Sequence, residues 1–211
     1  VIFVNRIWCL IMTKGMKWWL NTDIRVIGKI PSKNKVVIYA IKHQSAWETV
    51  FCTDLFSMPS IVLKKALIFL PVIGLYFLRS GAIPITRDQG INALKKMGRN
   101  AKRAVKEKRS MMIFPQGTRV SPGVSTKEKP YLPGVFFLYS QTKVSVVPVA
   151  HNAGLLWPKN SFIKYPSRLK SKSITIKILP EIQPGLSKIE FLKKLETIIE
   201  NSSNELIKLE S

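Results

Sequence analysis

Acidic residues are scarce: 12 Asp and Glu face 34 Lys and Arg in 211 residues, a formal net charge of +22. So one-sided a balance points to a polyanionic partner, either nucleic acid or an anionic membrane surface, with a solvated lysine-rich surface as the plain alternative. The cations are spread along the whole chain rather than gathered in a tail, so the charge is a property of the surface. Histidine and cysteine are rarer still, two of each. Cys9 and Cys52 cannot make a disulfide framework and stand in no metal-ligand spacing, which argues against a structural zinc site and makes a reducing compartment the default. There is no internal repeat, linker or low-complexity tract. Nor is the opening, VIFVNRIWCLIMTKGMKWWL, an unbroken apolar run: Asn5, Arg6, Lys14 and Lys17 interrupt it. A spanning helix needs about 20 mostly apolar residues, so this segment falls short of one. No small-residue cleavage site follows it, which argues against a signal peptide. The chain opens on Val1 rather than Met, so a natural N-terminus further upstream is expected.

What is present is a domain's worth of core, with 46% apolar residues in a length that suits one domain. Trp8, Trp18 and Trp19 beside lysines suit the bilayer interface, where an amphipathic ring has one wet side. The expected organisation is an N-terminal membrane-associating helical segment over 1–22 and one folded domain over 23–211.

Apolar patterning then alternates between short and long periods. Strands are predicted at 36–41 (VVIYAI), 61–65, 81–88 running into a loop, 110–114, 144–150 and 173–179. Helices are predicted at 45–57 with Ser45 as a candidate N-cap, at 133–142, and at 187–209. The helix over 89–108 is the clearest. Ile91, Leu94, Ala101, Ala104 and Val105 give it an apolar stripe, and six Lys and Arg supply a basic face. Residues 67–79 are strongly apolar but broken by Pro71 and Gly74, and read either as a buried helix or as a surface that meets lipid. Residues 152–172 read as irregular. Alternating strands and helices predict an α/β fold, a single layered domain with a mostly parallel central sheet flanked by helices.

Three features carry chemistry, and each falls at a predicted strand end, where open α/β sheets bind ligands. His43 follows the first strand, and Glu48 comes five residues later in HQSAWE. On one regular helix that spacing separates them by about 140°. They meet only if His43 lies in the turn and Glu48 in the first helical turn. A carboxylate on one ring nitrogen would fix the tautomer and make the other nitrogen a general base. The spacing alone serves a surface histidine beside a capping glutamate equally well. Second, FPQGTR (114–119) follows a strand. Gly117 permits close backbone approach, Thr118 offers a hydroxyl, and Arg119 offers a phosphate fork. Third, Arg87 closes the run Ile85-Thr86-Arg87 as a second phosphate donor.

Together these blocks resemble the glycerolipid acyltransferase family. His43 and Glu48 match its His-four-residues-acid block, Ile85 to Arg87 its second, and Phe114, Pro115, Gln116, Gly117, Thr118 and Arg119 its Phe-Pro-Glu-Gly-Thr-Arg block. Val146 to Val149, with Pro148, match its Val-Pro stretch. All four occur in order across residues 43–149. Two departures stand out: Glu48 where the family mostly has Asp, and Gln116 where Glu is usual, an amide that cannot carry charge.

The resemblance implies that His43, oriented by Glu48, activates the 2-hydroxyl of a lysophosphatidic acid to attack a thioester, acyl-CoA or acyl-carrier protein, giving phosphatidic acid. It implies Arg87 and Arg119 on the phosphate, no metal or bound cofactor, and no acyl-enzyme. It also implies anionic membrane lipids as partners and the cytoplasmic face of a bacterial inner membrane as the location. Another lysophospholipid or a lipid A precursor as acceptor stays open. A non-catalytic lipid-binding module is the rival from another class, and the intact His43–Glu48 pair argues against it. Nucleic-acid binding would interleave aromatics with cations on one face; they are found so mainly in the N-terminal segment, so nucleic acid is not expected as a partner.

Overall fold

A computed structural model describes residues 2–71, 73–86 and 90–210. Arg87 lies outside the described residues. Among them seven strands form one sheet: β1 (Asp23–Ile27), β2 (Ile38–Ile41), β3 (Ser60–Lys64), β4 (Ile83–Ile85), β5 (Met111–Ile113), β6 (Val146–His151) and β7 (Ser173–Ile178). Their order across the sheet is β1-β7-β6-β2-β5-β3-β4. The block β6-β2-β5-β3-β4 is parallel throughout. β7 turns antiparallel to β6, and β1 then pairs parallel with β7. The sheet is therefore mostly parallel, as expected.

The strand period of two sorts side chains to opposite faces. Val37, Tyr39 and Ile41 enter the layer beneath α1 (Ile2–Leu20) and α2 (Trp47–Leu55), with Trp47, Cys52 and Met16. Ile38 and Ala40 face the other way, against α4 (Gly90–Lys106), α5 (Gly134–Thr142) and α7 (Lys188–Lys208). There Phe191 is fully buried, its ring 4.2 Å from that of Tyr139. Truncating Phe191 to Ala costs about 3–5 kcal/mol by the usual transfer and cavity terms. α7 begins on a capping box, Ser187 and Glu190 each bonding the other's backbone N–H.

Several boundaries differ from expectation for identifiable reasons. α2 starts at Trp47 with Ala46 at the cap position, so Ser45 is not the N-cap; its hydroxyl accepts from the Trp47 N–H while its own N–H is taken by Glu48. The 67–79 stretch is not one buried helix: Phe69, Leu70, Leu75 and Leu78 are exposed. It divides into a 3₁₀ turn (Lys65–Phe69) and α3 (Ile73–Arg79), because the segment changes direction around Pro71. On α4, Ala101 and Ala104 are buried as the stripe predicts, but Ile91 is 71% exposed at the first turn. The supposedly irregular 152–172 contains α6 (Ala153–Leu156) and a 3₁₀ turn (Pro166–Arg168). β1 had no sequence signal and is an exposed edge strand. α1 packs on α2, burying Cys9 and Met16. No described helix is long and apolar enough to cross a membrane.

Candidate active site

The parallel block ends in a tight turn that carries His43. The β2 backbone runs straight into it: the Lys42 N–H donates to Val149 O at 3.0 Å, and Ala40 pairs with Pro148. Pro148 thus sits in the interior strand β6, beside β2 just before the turn. The chain then reverses into α2, and this places Glu48 in the first helical turn, facing back at His43.

Glu48 is fully buried. Its Oε1 accepts from His43 Nδ1 at 2.7 Å, from the Gln44 N–H at 3.0 Å and from the Ser45 N–H at 2.9 Å; Oε2 accepts from Ser45 as well, at 3.0 Å. Burial pushes this carboxyl up. The His43 hydrogen bond, the neighbouring histidines and the Ser45 N–H more than offset it, so the group is held below the ordinary carboxylate range. An ionised Glu48 fixes the proton on Nδ1 and leaves Nε2 as the basic nitrogen. His43 itself is only partly buried. Its ring stacks on Phe114, with centroids 4.0 Å apart and planes inclined by 22°.

Phe114 opens the FPQGTR turn. The Gly117 N–H closes on Phe114 O at 2.9 Å, with Gly117 at φ +66°, a left-handed conformation that suits glycine. The turn is tied to the histidine by the Val120 N–H, which donates to His43 O at 2.7 Å. Gln116 is buried, and its Nε2 donates to Lys129 O at 2.8 Å. The amide therefore belongs to the packing of the loop rather than to the cavity wall. Arg119 reaches out to Asn160, Nη2 to Oδ1 at 3.4 Å.

A cavity of about 630 Å³ opens at His43. His43, Phe114, Pro115 and Gly117 line it at one end, and Met97, Leu94, Val135 and Phe77 continue it between α3, α4 and α5. Its walls are predominantly apolar. Thr118 and Arg119 are not among its lining residues. The structure thus brings His43, Glu48, Phe114, Pro115 and Gly117 together, sets Arg119 beyond the turn, and turns Gln116 inward. A base, a turn of backbone amides and an apolar slot of this size can activate a hydroxyl beside a long hydrocarbon chain.

Sequence reasoning missed the supports. His151, fully buried at the end of β6, bonds Lys42 O through Nε2 at 2.6 Å and accepts the Ala153 N–H on Nδ1 at 3.2 Å. It therefore pins the residue before His43. Burial lowers its pKa and the Glu48 charge only partly offsets this; with Nδ1 accepting the Ala153 N–H, the ring is neutral. Lys42 is buried in an ion pair with Glu200 at 2.6 Å, and the Tyr131 hydroxyl donates to the same oxygen at 2.8 Å. Gln44 accepts the Gly154 N–H at 3.1 Å. A histidine directly after the Val-Pro strand, and a lysine directly before His43, were the available signals.

Comparison with known proteins agrees with the geometry. A family model described as Acyltransferase matches residues 23–152. The chain is 34% identical over 164 residues to the 1-acyl-sn-glycerol-3-phosphate acyltransferase of Pseudomonas aeruginosa, covering 78% of this chain and 60% of that one. It is 29% identical over 147 residues to the protein of the same name from Saccharomyces cerevisiae, covering 68% and 48%. The chain thus spans about half to three-fifths of the length of these curated relatives. Among solved structures it is similar to the 1-acyl-sn-glycerophosphate (LPA) acyltransferase of Thermotoga maritima. The TM-score is 0.71 at 23% identity, with 92% of this chain and 76% of that one covered, which establishes a common fold.

Proposed function

The chain belongs to the acyltransferase family, and on that premise we propose that it transfers an acyl chain from a thioester to the 2-hydroxyl of 1-acyl-glycerol-3-phosphate, giving phosphatidic acid. The observation that carries the reading is the His43–Glu48 pair, fixed by two backbone amides at the mouth of an apolar cavity. The names of the relatives supply the acceptor.

The steps follow from the geometry. Nε2 of His43 takes the proton of the acceptor hydroxyl as its oxygen attacks the thioester carbonyl. Glu48 stabilises the imidazolium that forms. The tetrahedral intermediate collapses, the C–S bond breaks, and the proton on Nε2 passes to the departing sulfur. The acyl chain lies in the cavity, and the FPQGTR turn steadies the oxyanion or phosphate through its amides. Arg119, and Arg87 outside the described residues, bind the phosphate. The donor is acyl-CoA or acyl-carrier protein. Lipid substrates and the +22 charge support a reaction at an anionic membrane surface. The free thiols of Cys9 and Cys52 suit its reducing, cytoplasmic side.

The test is thiol release from an acyl thioester with lysophosphatidic acid as acceptor. His43→Ala is expected to abolish it in a folded protein. Near-normal turnover by that variant sinks the assignment.

A further inference from the structure

The end of the sheet that carries His43 also carries an unusual set of exposed apolar side chains. The strand register fixes which end this is. β7 runs antiparallel to β6, with Ile176 opposite His151, so Ser173 at the start of β7 lies beyond the end of β6. Asp23 pairs with Ser173 and its N–H bonds Lys172 O. The last turn of α1 therefore reaches the same end, with Trp18 and Trp19 83% and 81% exposed. Between β6 and β7 the chain projects a tip at residues 158–165. Phe162 is 99% exposed and Ile163 64%. On the other side of the site, Phe69 is exposed after β3.

The tip is built to hold these side chains out. The Ser161 hydroxyl accepts the Ile163 N–H at 3.1 Å and donates to Ile163 O at 3.0 Å. Trp157 Nε1 donates to Ser161 O at 3.1 Å. The Lys164 ammonium bonds Phe162 O at 2.6 Å and lies 3.7 Å above the Trp157 ring. The surroundings are cationic. From Ala153 to Pro180 there is no acidic residue, and Lys159, Lys164, Arg168, Lys170 and Lys172 lie in that span; Lys177, further along β7, is paired with Glu205, and Glu210 reaches in to bond Ser171. The tip touches the site directly through Asn160, which accepts from Arg119.

We infer that the 158–165 tip is a membrane-insertion element, with Phe162 and Ile163 entering the acyl region of an anionic bilayer while its cations sit among the headgroups. The occupant follows from two observations. Apolar side chains ringed by cations match a surface that is apolar inside and anionic outside. The hydrogen bond from Arg119 to Asn160 also ties the tip to the arginine of the proposed phosphate site. If Arg119 holds a lipid phosphate, it lies at headgroup level, and side chains that project beyond it meet hydrocarbon. This second argument rests on the function proposed above; the first does not.

Vesicle flotation of the full chain tests it. Wild type is expected to float with phosphatidylcholine vesicles that contain phosphatidylglycerol and only weakly with phosphatidylcholine alone. Phe162→Ser combined with Ile163→Ser should lower the partition into anionic vesicles by about tenfold or more. Acylation of vesicle-embedded acceptor should fall with it, while a short-chain, water-soluble lysophosphatidic acid is acylated as by wild type. Ile163→Trp should raise the partition. Unchanged flotation of the double variant, or no gain with Ile163→Trp, overturns the inference. So does an equal loss of activity on the soluble acceptor, or a raised KM for an acyl-carrier protein donor without vesicles, which would assign the tip to the site or to a protein. Flotation needs no turnover. A wild type that floats as described but releases no thiol therefore sinks the acyltransferase reading alone.

Discussion

Replacing Glu48 separates chemistry from folding. Its carboxylate satisfies three buried or half-buried donors: His43 Nδ1, the Gln44 N–H and the Ser45 N–H. In Glu48→Ala all three lose their partner in a space closed to solvent. Each orphaned donor costs about 1–3 kcal/mol, so the loss is about 3–9 kcal/mol, a large part of the roughly 5–15 kcal/mol that holds a domain together. Glu48→Ala should therefore be poorly folded or melt far below wild type. Glu48→Gln keeps the shape. Its amide oxygen can take the Oε1 position and keep all three donors, while its NH₂ at the Oε2 position faces the Ser45 N–H and loses one bond. Charge assistance to His43 also goes. A charge-assisted bond is about twice as strong as a neutral one, a difference on the order of 1–2 kcal/mol, which corresponds to about 5- to 30-fold in rate. Thermal unfolding combined with thiol-release kinetics reads both effects. A Glu48→Ala protein with wild-type melting, or a Glu48→Gln protein with wild-type turnover, refutes the reasoning.

Other expectations follow from the same geometry. Arg119→Ala should raise KM for the phosphate-bearing acceptor by about 10- to 100-fold and leave a phosphate-free monoacylglycerol unaffected, as measured by initial rates on the two acceptors. Ala93→Phe, in the wall of the apolar cavity, should shift preference toward shorter acyl chains in a competition assay. A Cβ on Gly154 would stand 2.8 Å from Gln44 Cβ and 3.0 Å from Pro122, so Gly154→Ala should cost about 1–3 kcal/mol in a denaturant melt and slow acyl transfer by moving the residue beside His43. Acid should destabilise the fold in two stages. His151 is held neutral, so its contribution is full above its ordinary value near 6.5 and is lost as pH falls from there through its lowered folded pKa. Glu48 is held ionised, so its contribution is full above about 4.5 and is lost as pH falls through its depressed folded pKa. Melting temperature against pH checks both, and Glu48→Gln should remove the second stage.

The interior of the fold was legible because burial writes itself into period and composition. VVIYAI, SMMIF and VSVVPVA are continuous apolar runs because their strands are covered on both faces. β1 was illegible because it lies at the edge: DIRVI has mostly exposed positions and needs only β7 to pair with. The antiparallel entry of β7 left no mark either, since direction is set by the connection and not by side-chain pattern. In the site, the pairing of His43 with Glu48 was readable as a condition on the turn, and the turn meets it. The roles of Gln44 and Ser45 were hidden because they act through backbone N–H groups, which any residue supplies. Gln116 read as a substrate contact because it stands in the FPQGTR block, whereas the left-handed Gly117 lets the chain turn with that amide pointing inward.

The pairing of β1 with β7 bears on the order of events during synthesis. Asp23 finds its partner only when Ser173 has been made, roughly 150 positions later. At about 5–20 residues per second the ribosome needs about 8 to 30 seconds to supply it. Through that interval the first strand has no sheet edge to join, while the core pair β2–β5 and later β6 can already assemble. The helix before β1, with its two outward tryptophans, can pack on α2 early, but the strand that follows it waits for β7. The sheet-side anchor of this helix is therefore added only after the catalytic strands β2, β5 and β6 have closed.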